Sequence, residues 1–337
     1  VDEADIVKSD GKYIYAVSGN KVVILDAYPA ETAKIVSEIK LEGIREIFIN
    51  KDKLIVFGHE SVSALKPTSI SSSGAISPEI YPQYTPKTFI KIYDIKNMEN
   101  PVLARNISVD GNYFDSRMIG NYVYAVAHQP VYYRESEPIP LPAISSDGKV
   151  KSVAANDIYY FDVPDRSYIF TSIMAVNTQN NEEPRTQTFL TGYTQNMYVS
   201  LDNIYVVYPK MVSEFRIMDR LIDEAILPLL PADITAKINE IKNTNLSKYE
   251  KRIKIVDIGT KWSKTLGAEE RSKIERALQE RAVSILSEVT KESDKTIVHK
   301  ISIKNGQINY DTKGEVPGHV LNQFSMDEHN GYFRIAT

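Results

Sequence analysis

Polar and apolar positions along this chain alternate in short runs that recur. In Asp5 to Val17 (DIVKSDGKYIYAV) one alternating run enters Asp10-Gly11 and a Tyr/Ile/Val run leaves it. Asp-Gly between alternating apolar residues predicts a hairpin, because both central residues of a type I′ turn need positive φ. Variants of the hairpin return at Glu46 to Phe57, Asp115 to Val126, Met197 to Val207 and Asn322 to Ala336. In the first repeat two more strands follow, KVVILDAY and AKIVSEIKL, so the unit is a meander of four strands, A to D. Apolar residues closing on Asp mark strand C at Asp26, and the pattern returns at FIKIYDI (Asp94) and DIYYFDV (Asp162). Each is followed by a Pro-containing turn and a strand D, the third being SYIFTSIMAV. A meander that repeats and resets predicts blades of a β-propeller.

The blades differ in length, and the added residues share an address. The B–C connection is tight at Ser18-Gly19-Asn20 but long from His59 to Thr88, from His128 to Asp157, and from Tyr208 to Thr296. Neighbouring strands of a meander run antiparallel, so B–C and D–A connections leave one face of a propeller and A–B and C–D connections the other. All three insertions are therefore expected on one face. The first two are rich in Ser, Pro and Tyr and read as loops. The third changes period. Phe215, Met218, Leu221, Ile222 and Ile226 form a helical stripe that stops at Pro228 and Pro231. Ser247 with Glu250 is a capping box, and Ile274, Leu278, Ile285 and Val289 share one face of a last helix whose charges nearly balance.

The predicted fold is all-β: a β-propeller of four-stranded antiparallel blades, about four and a half of them, with an α-helical insertion. Residues 1–210 hold blades 1 to 3 and the first half of blade 4, 211–294 the helices, and 295–337 the rest of blade 4 and the start of blade 5. Such a run is not closed by itself, and soluble proteins cover open strand edges. The expectation is that further C-terminal blades or another chain covers this one.

Composition narrows the partners. A net charge of −4 supplies no basic field for nucleic acid or an anionic membrane. Cysteine is absent, which removes disulfides, thiolate metal sites and a Cys nucleophile. No apolar run approaches the roughly 20 residues of a membrane span. The five histidines show no H-x-H, H-x-x-x-H or HExxH spacing, so neither a metal site nor a cofactor is predicted.

The opening VDEADIVKSDGKYIYAVSGNKVVILDAYP, the middle NPVLARNISVDGNYFDSRMIGNYVYAV and the close EVPGHVLNQFSMDEHNGYFRIAT resemble the secreted β-propeller-domain family of archaea and bacteria, distantly related to WD-40 repeats. The resemblance covers most of the chain outside the insertions. It implies an extracellular or cell-surface propeller, often tethered at its N-terminus and longer than this chain. It carries over no catalytic residues.

Candidate chemistry is sparse. His59 and His128 both end a strand B where an insertion begins, although a lone His at a strand end is ordinarily solvated or bonded to a loop. Tyr81, Tyr84, Tyr132, Tyr133 and Arg134 stand in Pro-stiffened connections, where rings can stack on sugars or grip peptides at low entropic cost, or fold back as a plug. With His128 they are the ligand-binding candidates. Strand A lines the channel of a propeller, which makes Asp5, Lys8, Asp115, Arg117 and Asn322 candidate channel groups, or ties between blades. Asp26, Asp94 and Asp162 read as turn caps rather than a cation ring, because equivalent positions of different blades lie far apart. Ser325, Asp327 and His329 crowd one hairpin, whereas a working triad draws on separate segments. The expected function is a non-catalytic extracytoplasmic scaffold binding a protein or glycan partner. The alternative is a hydrolase or lyase on polysaccharide or peptide at the channel mouth.

Overall fold

The computed structural model describes residues 1–67, 80–132, 138–161 and 168–337, with backbone alone at 63–67 and 80–84. Four four-stranded meanders form in chain order. Blade 1 is Val7–Ser9, Tyr13–Val17, Lys21–Asp26 and Lys34–Lys40; blade 2 is Ile44–Asn50, Lys53–Pro67, Ile80–Asp94 and Val102–Asp110. Blade 3 is Asn112–Ile119, Tyr122–Pro130, Ile169–Asn177 and Arg185–Thr191; blade 4 is Asn203–Pro209 flanked by Asn196–Val199 and Lys295–Lys304, then Gln307–Pro317. The hairpin Met326–His329 and Tyr332–Ile335 begins blade 5.

The sheets pack face to face in sequence, which is why their central strands read as unbroken apolar runs. Strand B of blade 3 shows the rule. Val123, Ala125 and Ala127 look toward blade 2, where Phe48, Phe57, Ile90 and Ile107 complete a dry cluster. Tyr124 and Val126 look the other way, onto Ile204, Val206 and Ile301 of blade 4. A third cluster joins blades 1 and 2 through Tyr15, Ile24, Ile47 and Leu54, and a fourth joins blades 4 and 5 through Tyr205, Val298 and Met326. Each fully buried side chain of this size contributes about 1.5–3 kcal/mol.

Residues Asp2–Glu3 leave blade 1 and pair with Met118 and Arg117 on the inner strand of blade 3. Asp5 bridges Ile47 on the inner strand of blade 2. Strand A of blade 1 is thereby shortened to Val7–Ser9, and Asp5 lies outside it. Asn322 likewise precedes strand A of blade 5 and caps the short turn Gln323–Ser325, where Phe324 N donates to its Oδ1 at 3.0 Å.

The insertions differ from their sequence reading in two ways. The second blade's is a ribbon: strands 53–67 and 80–94 stay paired from Lys53↔Asp94 to Pro67↔Ile80, so Tyr81 and Tyr84 belong to a strand. Pro82 and Pro86 fit because, among the described residues, no strand pairs this stretch on its second side until Lys87 meets Asp110, and Pro86 there only accepts, from Gly111 N. In blade 3, SYIFTSIMAV is strand C, bonded to strand B from Tyr122↔Asn177 to Pro130↔Ile169. Strand D is RTQTFLT, whose Thr/Gln alternation hides it. The expected strand C instead gives Ile158–Tyr160, a parallel edge strand on Arg185–Thr191. Asp162 lies outside the described residues, and Asn177 holds the end of strand C; its Oδ1 accepts Gln179 N just as Asp94 Oδ1 accepts Lys96 N.

In the long insertion α1 (Glu214–Arg220) runs into a π-turn at Leu221–Ile226 and a 3-10 turn ended by proline chemistry, followed by α2 (Ala232–Lys242), α3 (Lys248–Ser263) and α4 (Ala268–Ser293). The Ser247/Glu250 capping box is formed. Ile222, Ile238 and Ile255 make one small core, and Ala225, Ile285 and Val289 another. Phe215 and Met218 of the expected stripe stay 59% and 41% exposed, because α1 turns Ile217 inward beside Leu221, which the stripe did include.

Candidate functional site

The end of the propeller that carries the insertions is shaped by two glycines. Gly43 and Gly111 enter the A strands of blades 2 and 3 at φ 72° and 114°. A Cβ on Gly43 would stand 2.0 Å from the His59 carbonyl oxygen, and one on Gly111 2.8 Å from the His128 carbonyl carbon. Glycine thus lets each A strand cross against the end of its own B strand. A β-bulge follows in both, between Ile44 and Glu46 and between Tyr113 and Asp115. Bulges re-aim side chains, and these two send polar groups to the axis.

There Tyr113 donates its hydroxyl to Glu46 Oε2 at 2.6 Å and shares a hydrogen bond with Ser116 Oγ at 2.8 Å. Ser116 N donates to Asp115 Oδ1 (2.7 Å), and Arg117 Nη1 meets the same oxygen at 2.5 Å. Arg117 Nη2 donates to Gln323 Oε1 of blade 5 at 2.7 Å and pairs with Glu3 at 3.1 Å. Lys8 Nζ holds Asp2 Oδ1 at 2.7 Å and the Glu3 carbonyl at 2.5 Å. Burial pushes the Asp115 carboxyl up, and the Arg117 guanidinium offsets this in part. Of the channel candidates the structure brings Lys8, Asp115 and Arg117 into one network. Asp5 spends its carboxylate on Ile6 N, and Asn322 its amide oxygen on Phe324 N of its own turn. Gln323 was not singled out; its neighbour Asn322 was the nearest signal. Every charged member already has a partner, so the network ties four segments together at the axis.

Two histidines sit between blades 3 and 4. His128 is 8% exposed, stacks on the bulge residue Phe114 (4.3 Å, 30°) and has no hydrogen-bond partner for Nε2 among the described residues. Burial lowers its pKa to about 4. His299, 1% exposed, bonds Tyr208 Oη at 2.8 Å and Tyr310 Oη at 3.3 Å through its two ring nitrogens. Burial, with Lys313 nearby, also lowers it to about 4. Phe161, from the tail of the blade 3 insertion, covers the His299 ring at 4.2 Å. His59 stands apart, accepting Arg45 Nε at Nδ1 (3.2 Å). Tyr132 is 75% exposed. Tyr81 and Tyr84 lie on the ribbon opposite Lys66 and Ser63, and Tyr133 and Arg134 fall outside the described residues.

A further void lies on the perimeter. The blade 3 insertion first adds the hairpin Ala143–Ser146/Lys149–Ser152 to the outer edge of blade 2, then strand Ile158–Tyr160 to the outer edge of blade 3. Between these additions is a cleft of about 700 Å³. Arg105, 4% exposed, braces its inner end: Nε to Asp147 Oδ2 at 3.1 Å, Nη2 to Ser146 Oγ at 3.0 Å, and Nη1 to the Glu182 carbonyl of blade 3 at 2.8 Å. The missed sequence signal is Asp147-Gly148, both at positive φ (49° and 87°), between AISS and KVKS. Among the described residues no group of three or more His, Asp or Glu is placed to hold a metal ion, and no helix is long and apolar enough to cross a membrane.

Meanders stacked around a shared axis, with their added segments at one class of connection, define an unclosed set of propeller blades. The chain belongs to the beta propeller domain family, whose pattern matches residues 1–337. It is similar to an uncharacterized protein of Methanocaldococcus jannaschii, at 25% identity over all of this chain and 48% of the relative. A second relative, an uncharacterized protein of Archaeoglobus fulgidus, is 24% identical over all of this chain and 51% of its own length. The chain thus spans about half the length of the curated relatives it matches.

Proposed function

We propose that the protein is a non-catalytic, extracytoplasmic scaffold that binds a protein or glycan partner through the segments inserted between strands B and C. One observation carries this reading: the ribbon of blade 2, the cleft-building segment of blade 3 and the helices of blade 4 all enter at that connection. Segments gathered on a rigid frame are where binding proteins place recognition. Open C-terminal edges of blade 5 are covered, in this reading, by further blades or a second chain. The enzymatic alternative has the raised Asp115 carboxyl in its favour. Against it stands the hydrogen bonding of that carboxyl within the axial network.

The test is a variant in which Met211 to Ser293 is replaced by a short Gly/Ser linker. It retains the β-sheet circular dichroism of the parent and loses at least one of the ligands found on glycan and peptide arrays. Turnover of any arrayed substrate that disappears in Asp115→Asn would overturn the scaffold reading. Labelling of intact cells with antibody tests the compartment, and a signal that appears only after permeabilisation refutes it.

A further inference from the structure

The perimeter cleft is built from two strand edges. Lys149–Ser152 ends the blade 2 sheet and Ile158–Tyr160 ends the blade 3 sheet, each with one neighbour among the described residues. Register fixes what looks inward. Lys149 and Lys151 stand opposite Ser146 and Ile144 and share their face, the one that looks across at blade 3. On the far wall Thr186 lies opposite Met174, on the face directed at blade 2, and its buried Oγ has no hydrogen-bond partner among the described residues. The cleft therefore offers a main-chain edge and two ammonium groups at alternate positions on one wall, with Asp157 and Glu183 elsewhere in its lining.

We propose that this cleft binds an extended acidic peptide as an added strand. The peptide pairs with the free edge of Lys149–Ser152 and sets alternate carboxylates opposite Lys149 and Lys151. Main-chain pairing at an open edge supplies affinity, and alternate side chains supply selectivity. Residues directly opposite on neighbouring strands lie about 5 Å apart at Cβ, close enough for opposite charges to attract and like charges to repel. Neither lysine forms an ion pair within the described residues, whereas Lys53, Lys87 and Lys210 all do. The same lysines deter a second copy of this edge, since two such strands would align cation against cation. A sugar is disfavoured because the aromatic ring of the cleft, Tyr159, is already engaged with Phe189 at 5.4 Å and Tyr310 at 5.5 Å. The Arg105 brace holds the two walls, so binding meets a preformed groove.

This deepens the scaffold reading by naming the partner of one insertion, and it rests on that reading. Because the cleft lies outside the helical segment, its failure leaves the helical deletion test unaffected. The experiment measures fluorescence anisotropy of the full chain with labelled peptides of roughly eight residues that alternate Val with Asp or Val with Lys. A third peptide carries the Asp sequence with alternate backbone nitrogens methylated. The Asp peptide is expected to bind, the Lys peptide about tenfold more weakly or worse, and the methylated peptide not at all, having lost its donors. Lys149→Glu with Lys151→Glu is expected to exchange the preference, so that the Lys peptide binds and the Asp peptide does not. Binding of the Asp peptide that survives this double substitution, or survives methylation, overturns the proposal. So does failure of all three peptides, or tighter binding of polygalacturonate than of the Asp peptide.

Discussion

The blades and the helical segment of this chain are held together by different means. Between blades 2 and 3 a dozen buried side chains interlock across two sheets, and Phe57 contacts Phe48 edge-on at 5.6 Å and Tyr113 face-on at 5.6 Å. The helices share two cores of three buried residues each and meet the propeller at a polar neck. There Lys210 pairs with Glu292 and Glu315, and Lys295 reaches Glu292 at 2.6 Å. Interlocked sheets fail together, whereas a segment on a charged stem can open alone. The chain's one tryptophan, Trp262 of α3, reports on the helices, while sheet dichroism reports on the blades.

That contrast can be broken by experiment. Phe57→Ala is expected to cost about 3–5 kcal/mol and to move the sheet transition in denaturant while the Trp262 transition stays in place. Coincident movement of the two signals would erase the distinction. Ile238→Ala, in the helical core, is expected to lower the Trp262 transition by about 2–4 kcal/mol and spare the sheets.

Acid sharpens it further. His128 and His299 have folded values of about 4 against an ordinary 6.5. Below 6.5 the unfolded chain takes up protons that the folded chain refuses, so the stability of blades 3 and 4 is full above that pH and falls toward pH 4. Each histidine accounts for roughly 2–3 kcal/mol across this window. His128→Leu should flatten the pH dependence of the sheet transition, and an unchanged slope would show that the ring is solvated. The smallest effect is at a cap. Ser247→Ala removes the capping box of α3 and should cost about 1 kcal/mol in the Trp262 transition alone.

What could be read from the chain tracks how local the signal is. Hairpins with Asp-Gly or Asn-Gly turns declare themselves, but by two means: Asn330 and Gly331 both take positive φ, whereas at Asp10-Gly11 only the glycine does and the Asp10 carboxylate holds the turn by accepting Lys12 N and Tyr13 N. The helical segment was legible from its change of period and its capping box. The blade 3 assignment went wrong because an edge strand and a central strand carry the same apolar letters. DIYYFDV matched the preceding blades better than SYIFTSIMAV did, and only pairing separates them. The ribbon of blade 2 was hidden by Ser and Pro, which oppose a central strand and are tolerated on an edge. Of the axial network, Asp115 and Arg117 could be named from strand A. Glu3 and Gln323 could not, because their place depends on segments that cross between blades.

The first residues of the chain bond to strands made much later: Asp5 waits for Ile47, and Asp2 for Met118. Contacts between points this distant in sequence are slow to form, and strands Ile44–Asn50 and Asn112–Ile119 are made after residues 2–5. Residues 2–5 therefore act as a drawstring across three blades, able to close only where strands Ile44–Asn50 and Asn112–Ile119 stand side by side.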